Sequence, residues 1–519
     1  METGIGERLA ASARRPTTLL VGATVLVAIA YRLYALGRLP GLNGDEAWYG
    51  AQAQRLADGL DFAWRTPNGN VPGPLQGGLL FLLQMVIAPS LTLLRVPSVL
   101  ASLGQMALAY AVGRRHFGRE TGAVALVLTA VLPVNIAYAR FGWDPSHTGV
   151  VAMAAAHFAL AGTAWASAAL FALALLVHPT NVFLAPFLAL AFAGAEARRG
   201  GWGRATVRGG VHVALLAAVL PILAVTSAIG GAFSATGDPL QRLVDPAAWR
   251  DFTVLFTRLL DGDTIYAYIT GNGLGSARLA ADLGTGLLLV ALVVVGAWRL
   301  RKDLLGPEAG VVVGWLAALL AFFVLVGPWA LRPYVERYAM CLVVPTTLAL
   351  AVLLRELTDR GARAWRAWVP TAAVAALALI GFGSRYLGAL EETGSTSHET
   401  FWTGPVEPKQ EAFQRILDEA APHGGARVIA ESFWLYWPLK YLAHGRPLDV
   451  EDSPEVGGEV PPGGTYWVGF AGGPMERWAE ATPSVFPRWG VPAAGGHVAV
   501  RVWWTPPPLT RGASAGEPR

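Results

Sequence analysis

Charge is scarce in this chain: Asp, Glu, Lys and Arg make up 15% of its 519 residues, against about 25% in an ordinary soluble domain, while 54% are hydrophobic. With a mean hydropathy of +0.43, that shortage excludes a free-standing soluble globule and predicts a mainly α-helical, polytopic membrane protein. Cysteine is nearly absent. Cys341 stands alone inside an apolar run, which excludes an intrachain disulfide and a CxxC metal or redox site. No HxxxH or HExxH spacing occurs, so a transition metal held by protein ligands is not expected. A divalent ion held by carboxylates and phosphate oxygens stays open. The net charge is +4, but the arginines sit in short connections and form no basic stripe interleaved with exposed aromatics, which excludes nucleic acid as a partner.

What is present is a succession of apolar stretches. Taking about 20 apolar residues per crossing, with allowance for broken helices, eleven spans are expected at roughly 16–36, 94–113, 121–138, 147–164, 165–177, 182–195, 210–229, 284–299, 309–331, 338–354 and 367–387. The fifth and sixth are short and read as a broken, re-entrant pair. The first is too long for a signal peptide and no small-residue cleavage site follows it, so it is expected to be retained. Basic clusters recur with an even number of spans between them: Arg8, Arg14 and Arg15; Arg114, Arg115 and Arg119; Arg198, Arg199, Arg204 and Arg208; Arg299, Arg301 and Lys302; Arg355, Arg360, Arg363 and Arg366. The positive-inside rule puts all of them on the cytoplasmic side. A multi-pass protein of the plasma membrane follows, with its amino terminus inside and everything after about residue 388 outside.

The expected organisation is a transmembrane unit over 1–390, an extracytoplasmic α/β unit over 391–507 and a disordered tail over 508–519. Two outer loops interrupt the first unit, at 37–93 and 230–283. In the first, Glu46 to Phe62 is amphipathic and Leu75 to Ala88 is apolar but short, and both read as helices lying at the interface. The second carries amphipathic patches around Leu240 to Leu260 and a glycine-rich tip, Gly271-Asn272-Gly273-Leu274-Gly275, which reads as a mobile lid. Beyond a polar linker, Glu391 to Glu399, helical periodicity over Lys409–Ala420 and Phe433–Ala443 alternates with strand patterns at Arg427–Glu431, Thr465–Phe470 and His497–Trp504.

Four polar groups fall on the outer face, and each has a plainer reading beside the chemical one. In Asn43-Gly44-Asp45-Glu46-Ala47-Trp48-Tyr49, two adjacent carboxylates stand just beyond the first span, where a charge must be hydrated, paired or engaged by a ligand. Asp45 then reads as a general base, Glu46 as its supporting carboxylate and Trp48 and Tyr49 as walls of a sugar pocket. The plainer reading makes both acids caps of the helix that follows. The turn Arg140-Phe141-Gly142-Trp143-Asp144-Pro145 offers Asp144 as a second carboxylate and Arg140 as a phosphate partner, unless the two clasp each other. Arg337 and Tyr338, at the entry to the tenth span, suit a phosphate held bidentately, although snorkelling also places such residues there. His178-Pro179-Thr180-Asn181 breaks a helix at membrane depth, which lines a cavity or is satisfied locally by His178 and Asn181.

An odd-span bundle with Gly44-Asp45-Glu46-Ala47-Trp48-Tyr49, Arg95-Val96-Pro97-Ser98, Arg140 through Asp144 and Glu336-Arg337-Tyr338 through Pro345, in that order, resembles the GT-C glycosyltransferases. Within them it looks closest to the protein O-mannosyltransferase and aminoarabinose (lipid A) transferase branch, over about residues 16–390. The resemblance implies a polyprenyl-phosphate monosaccharide donor entering from the bilayer and a lipid, glycan or protein acceptor entering from outside. It implies Asp45 as the base, with Arg337 and Arg140 stabilising the departing lipid phosphate. The chain departs from that pattern at His178-Pro179, where related enzymes often present a Lys-Gly-Pro-like turn. The rival class is a secondary transporter or flippase, for which broken helices are also expected. Against it stand the lack of an inverted repeat, the long first outer loop and the outer tail.

Overall fold

The computed structural model describes residues 2–67, 69–226, 239–270, 273–301, 306–332, 335–356, 365–392, 406–452, 464–493 and 496–506. Of the expected linker Glu391 to Glu399, residues 391–392 are helical and 393–399 lie outside them, as do Gly271 and Asn272 of the expected lid and the tail over 508–519. Helices dominate, and a five-stranded sheet follows near the carboxyl end.

Helix α1 (Glu2–Leu33) gives way to a non-helical stretch that leads into α2 (Gly44–Ala57), and α3 (Pro74–Gln84) follows. Pro74 at the first helical position of α3 forfeits an N–H that would have been orphaned anyway. Helix α4 (Leu91–Phe117) is opened by the Ser90 hydroxyl, which accepts from Leu93 N, and stops at Gly118, whose φ of +101° a side chain would resist. Among the described residues, six helices are long and apolar enough to cross a membrane: Leu91–Phe117, Pro179–Thr226, Gly275–Gly296, Pro307–Leu325, Glu336–Arg355 and Thr371–Glu392. Thr18–Leu33 and Ala164–Val177 are shorter apolar helices. This is a multi-pass membrane protein.

One expected span takes a different form. The third is divided: α5 (Arg119–Val131) ends before Pro133, which opens a six-residue helix of its own because its ring cannot follow four helical carbonyls. The sixth and seventh are two helices within Leu184–Ala218, parted inside the arginine cluster where Gly200 and Gly201 leave helical geometry, as expected.

The carboxyl-terminal sheet has the order β2-β1-β3-β5-β4, from β1 (Ala426–Ala430), β2 (Leu448–Asp452), β3 (Thr465–Phe470), β4 (Phe486–Pro492) and β5 (Val498–Thr505). β1 pairs in parallel with β2 and β3, while β5 pairs antiparallel with β3 and β4. Neither edge strand was expected. β2 alternates acid and apolar residues, and β4 carries Pro487 and Pro492, which an edge tolerates because no donor is needed on its open side. This unit does not stand apart: Tyr441, from the helix Phe433–Leu442, belongs to the same buried apolar cluster as Trp48 of α2 and the membrane helices.

Candidate active site

The first turn of α2 decides which acidic side chain is free for chemistry. Asn43 is the N-cap: its side chain accepts from Asp45 N at 2.7 Å, while Glu46 reaches back to Asn43 N at 3.0 Å, a reciprocal capping box. The Asp45 carboxylate takes no part in this. It stays half-buried, while its neighbour is consumed. Glu46 binds Arg95 through both oxygens, at 2.6 and 2.9 Å, and also accepts from Gly142 N at 3.2 Å. Arg95 spends its remaining donors on the carbonyls of Leu36, Leu39 and Gly41. Both side chains are almost wholly buried, and removing one partner of such a pair costs roughly 3–5 kcal/mol because the other charge is left unmatched. Glu46 therefore holds the loop, with no oxygen left over for a substrate.

Asp45 faces Arg337 across the site. Burial raises the Asp45 carboxyl above its ordinary value, the Arg337 guanidinium pulls it down, and Glu46 pushes it up again. Arg337 itself lies against two rings, 5.2 Å from that of Tyr338 and 5.9 Å from that of Trp329. Next to it, Tyr138 donates to Glu336 at 3.0 Å. His178 stands edge-on to Tyr338, 5.7 Å between ring centres, with its Nδ1 and the Thr180 hydroxyl 2.7 Å apart. Asp45, Arg337, Tyr338 and His178 thus form one group at the mouth of the membrane bundle.

Asp144 joins this group through the loop rather than through open solvent. It accepts from the Tyr49 hydroxyl and from Gly73 N, the latter at 2.5 Å, which ties α2, the start of α3 and its own turn together. Burial pushes its carboxyl up to about 7, against the pull of the Tyr49, Gly73 and Gln76 donors. Gly73 has no room for a side chain, since a Cβ there would lie 2.7 Å from Asp144 Oδ1.

The remaining expected site residues are placed elsewhere. Arg140 does not clasp Asp144: its two terminal nitrogens donate to the carbonyls of Tyr31, Tyr34 and Leu39, closing the carboxyl end of α1. Trp48 is buried edge-on against Tyr49, Phe62 and Trp437, which makes it core rather than an open wall. Asn181 is fully buried and donates to Ala174 O at 2.8 Å and to the Thr148 hydroxyl at 3.3 Å, so it repairs the helix break locally. Three participants escaped the reading of the sequence. Gln76 receives the Ser98 hydroxyl and meets His147 at 2.9 Å, Trp329 flanks Arg337, and Lys409 arrives from the carboxyl-terminal unit. A buried polar residue in an apolar segment was the available signal for Gln76; nothing local marked Lys409. Among the described residues, no three His, Cys, Asp or Glu side chains are grouped to hold a metal ion.

Over nearly its whole length this architecture matches ArnT from Cupriavidus metallidurans bound to undecaprenyl phosphate, with TM-score 0.54, 15% identity, and coverage of 97% of this chain and 99% of that one. The chain has the GT-C fold. Fainter likenesses to structures with that fold are the oligosaccharyltransferase AglB from Archaeoglobus fulgidus (TM-score 0.47, 14% identity, 94% of this chain and 74% of that one) and the mycobacterial arabinofuranosyltransferase AftD (TM-score 0.48, 14% identity, 94% and 41%). No protein-family model matches the sequence, and no curated protein matches it either. The GT-C fold is thus recognised here through three-dimensional arrangement.

Proposed function

We propose that the protein is an inverting glycosyltransferase that moves a hexosyl or pentosyl group from a polyprenyl-phosphate donor to an acceptor hydroxyl on the outer side of the membrane. The observation that carries this reading is the position of Asp45: half-buried, outside the cap of its own helix, and opposite the Arg337 guanidinium. The bound undecaprenyl phosphate of the ArnT structure supports a lipid-phosphate donor for this fold.

In the proposed step Asp45 takes the proton of the acceptor hydroxyl as that oxygen bonds to the anomeric carbon. The bond from the anomeric carbon to the phosphate oxygen breaks, the electron pair leaves with the polyprenyl phosphate, and Arg337 stabilises the charge that develops there. Tyr338 and His178 border the same place. Asp144 and Tyr49 keep α2 and α3 in register behind the reacting carboxylate. The wider reading keeps eleven spans, a cytoplasmic amino terminus, the plasma membrane as location, and a lipid, glycan or protein as acceptor. A divalent ion would find Asp45, Asp144 and the donor phosphate as oxygen ligands.

The test is mass spectrometry of lipid-linked sugars and surface glycans in cells lacking the protein. One polyprenyl-phosphate sugar should accumulate and its product glycan should disappear. Restoring the wild-type chain should reverse both changes, whereas a folded Asp45→Asn chain should reverse neither. Full activity of Asp45→Asn would reject the base assignment.

A further inference from the structure

The helix that carries Asp45 is packed from outside by the carboxyl-terminal unit, and the contact has no slack. A Cβ on Gly44 would lie 2.5 Å from Phe433 Cε1, and one on Gly50 would lie 2.7 Å from the Tyr441 ring. Tyr441 donates its hydroxyl to Ser90 O at 3.1 Å and accepts at its carbonyl from Gln54 Nε2 at 3.2 Å, while Trp437 meets Trp48 edge-on. The helix Phe433–Leu442 thus runs along α2 and reaches the start of α4.

In the middle of this apolar contact lies an ammonium. Lys409 is fully buried; its Nζ donates to Leu42 O at 2.9 Å and to Trp434 O at 3.1 Å, and stands 5.8 Å from the centre of the Phe470 ring. Burial pushes it down to about 7, against the attraction of Glu46. A methionine would fill the same space without desolvating a charged group, so packing alone does not account for a lysine here. What the lysine adds is a rigid polar link from the outer unit to the carbonyl that immediately precedes the Asn43 cap, three residues from Asp45.

We propose that Lys409 is a positioning residue of the transfer reaction, holding the Leu42–Asp45 turn so that the Asp45 carboxylate meets the acceptor, and that the carboxyl-terminal unit is thereby a working part of the active site. This rests on the reading of Asp45 as the base. Lys409 touches neither substrate. It acts through Leu42 and the cap, and its loss should therefore slow turnover while donor binding at Arg337 persists.

The experiment uses the full-length protein in membranes, with the polyprenyl-phosphate sugar that accumulates in cells lacking the protein as donor. In Lys409→Met, kcat should fall about tenfold or more, in line with what sub-ångström misplacement of a reacting group costs, while KM for the donor stays within about twofold. Amides 42–46 should exchange hydrogen faster than in wild type. Lys409→Gln, which keeps a donor, should recover part of kcat, and this separates positioning from simple destabilisation. Should Lys409→Met not fold, the Gln chain carries the test alone, through lowered kcat at unchanged donor KM. Wild-type kcat in both chains, or kcat and KM worsening together with a lowered unfolding temperature, would overturn the assignment. Activity in Asp45→Asn would remove the reading beneath it; an inactive Asp45→Asn beside a fully active Lys409→Met would remove only the role of Lys409.

Discussion

At the scale of single residues, the first turn of α2 separates two carboxylates that are adjacent in the chain. Glu46 has its oxygens filled by Arg95, Asn43 N and Gly142 N, whereas the Asp45 carboxylate stays outside the cap and feels the charge of Arg337. The pH dependence follows from that difference. In its proposed role as base Asp45 must be ionised, and burial raises its carboxyl above its ordinary value, so activity should rise with pH through a limb higher than that of an exposed aspartate. Arg337 pulls that limb down. In Arg337→Ala the limb should move to higher pH, and KM for the donor should rise roughly 10- to 100-fold, the worth of a charge-assisted bond to phosphate. A pH profile of kcat/KM measures both; an unmoved limb with unchanged KM would take Arg337 out of the site.

Between elements, α4 and α5 approach each other closely. A Cβ on Gly113 would lie 2.6 Å from Gly122 Cα, so the two backbones touch with nothing between them. Small residues allow this where lipid provides no hydrophobic drive for association. Gly113→Val should force the pair apart and lower stability by about 1–3 kcal/mol, read as a lower unfolding temperature in detergent. Much of this level was legible in the sequence. The apolar stretches announced the membrane helices, and the periodicity of 409–420 and 433–443 announced helices that the structure contains. Pro133 redraws the third span, because a few backbone angles decide whether an apolar run is one helix or two, while the Gly200–Gly201 break falls where the arginine cluster already parted the sixth from the seventh. At the site, Asp45 and Arg337 were marked by charge at a membrane boundary. The reading of Glu46 as a cap holds at Asn43 N, but its bond from Gly142 N and the engagement of Arg140 by the carbonyls of Tyr31, Tyr34 and Leu39 could not be read, since those partners are remote in the chain and backbone groups carry no sequence signature.

For the whole molecule, the proposed orientation sets the reacting end outside and the arginine clusters inside. The lone native cysteine, Cys341, is buried, which leaves a clean background for labelling. Glu480→Cys, on the outer unit, should react with a membrane-impermeant maleimide in intact cells, whereas Arg119→Cys, at the start of α5, should react only after permeabilisation. The reverse pattern would invert the topology. The packing of Phe433–Leu442 on α2 also bears on how such a protein comes into being. A ribosome makes residues 44–57 long before residues 409–442, so the helix with the Asp45 carboxylate is made well before its outer brace exists. Until that brace arrives the Asp45 turn is unsupported from outside, and under the proposed function competence would begin only once residues 409–442 had been made and packed.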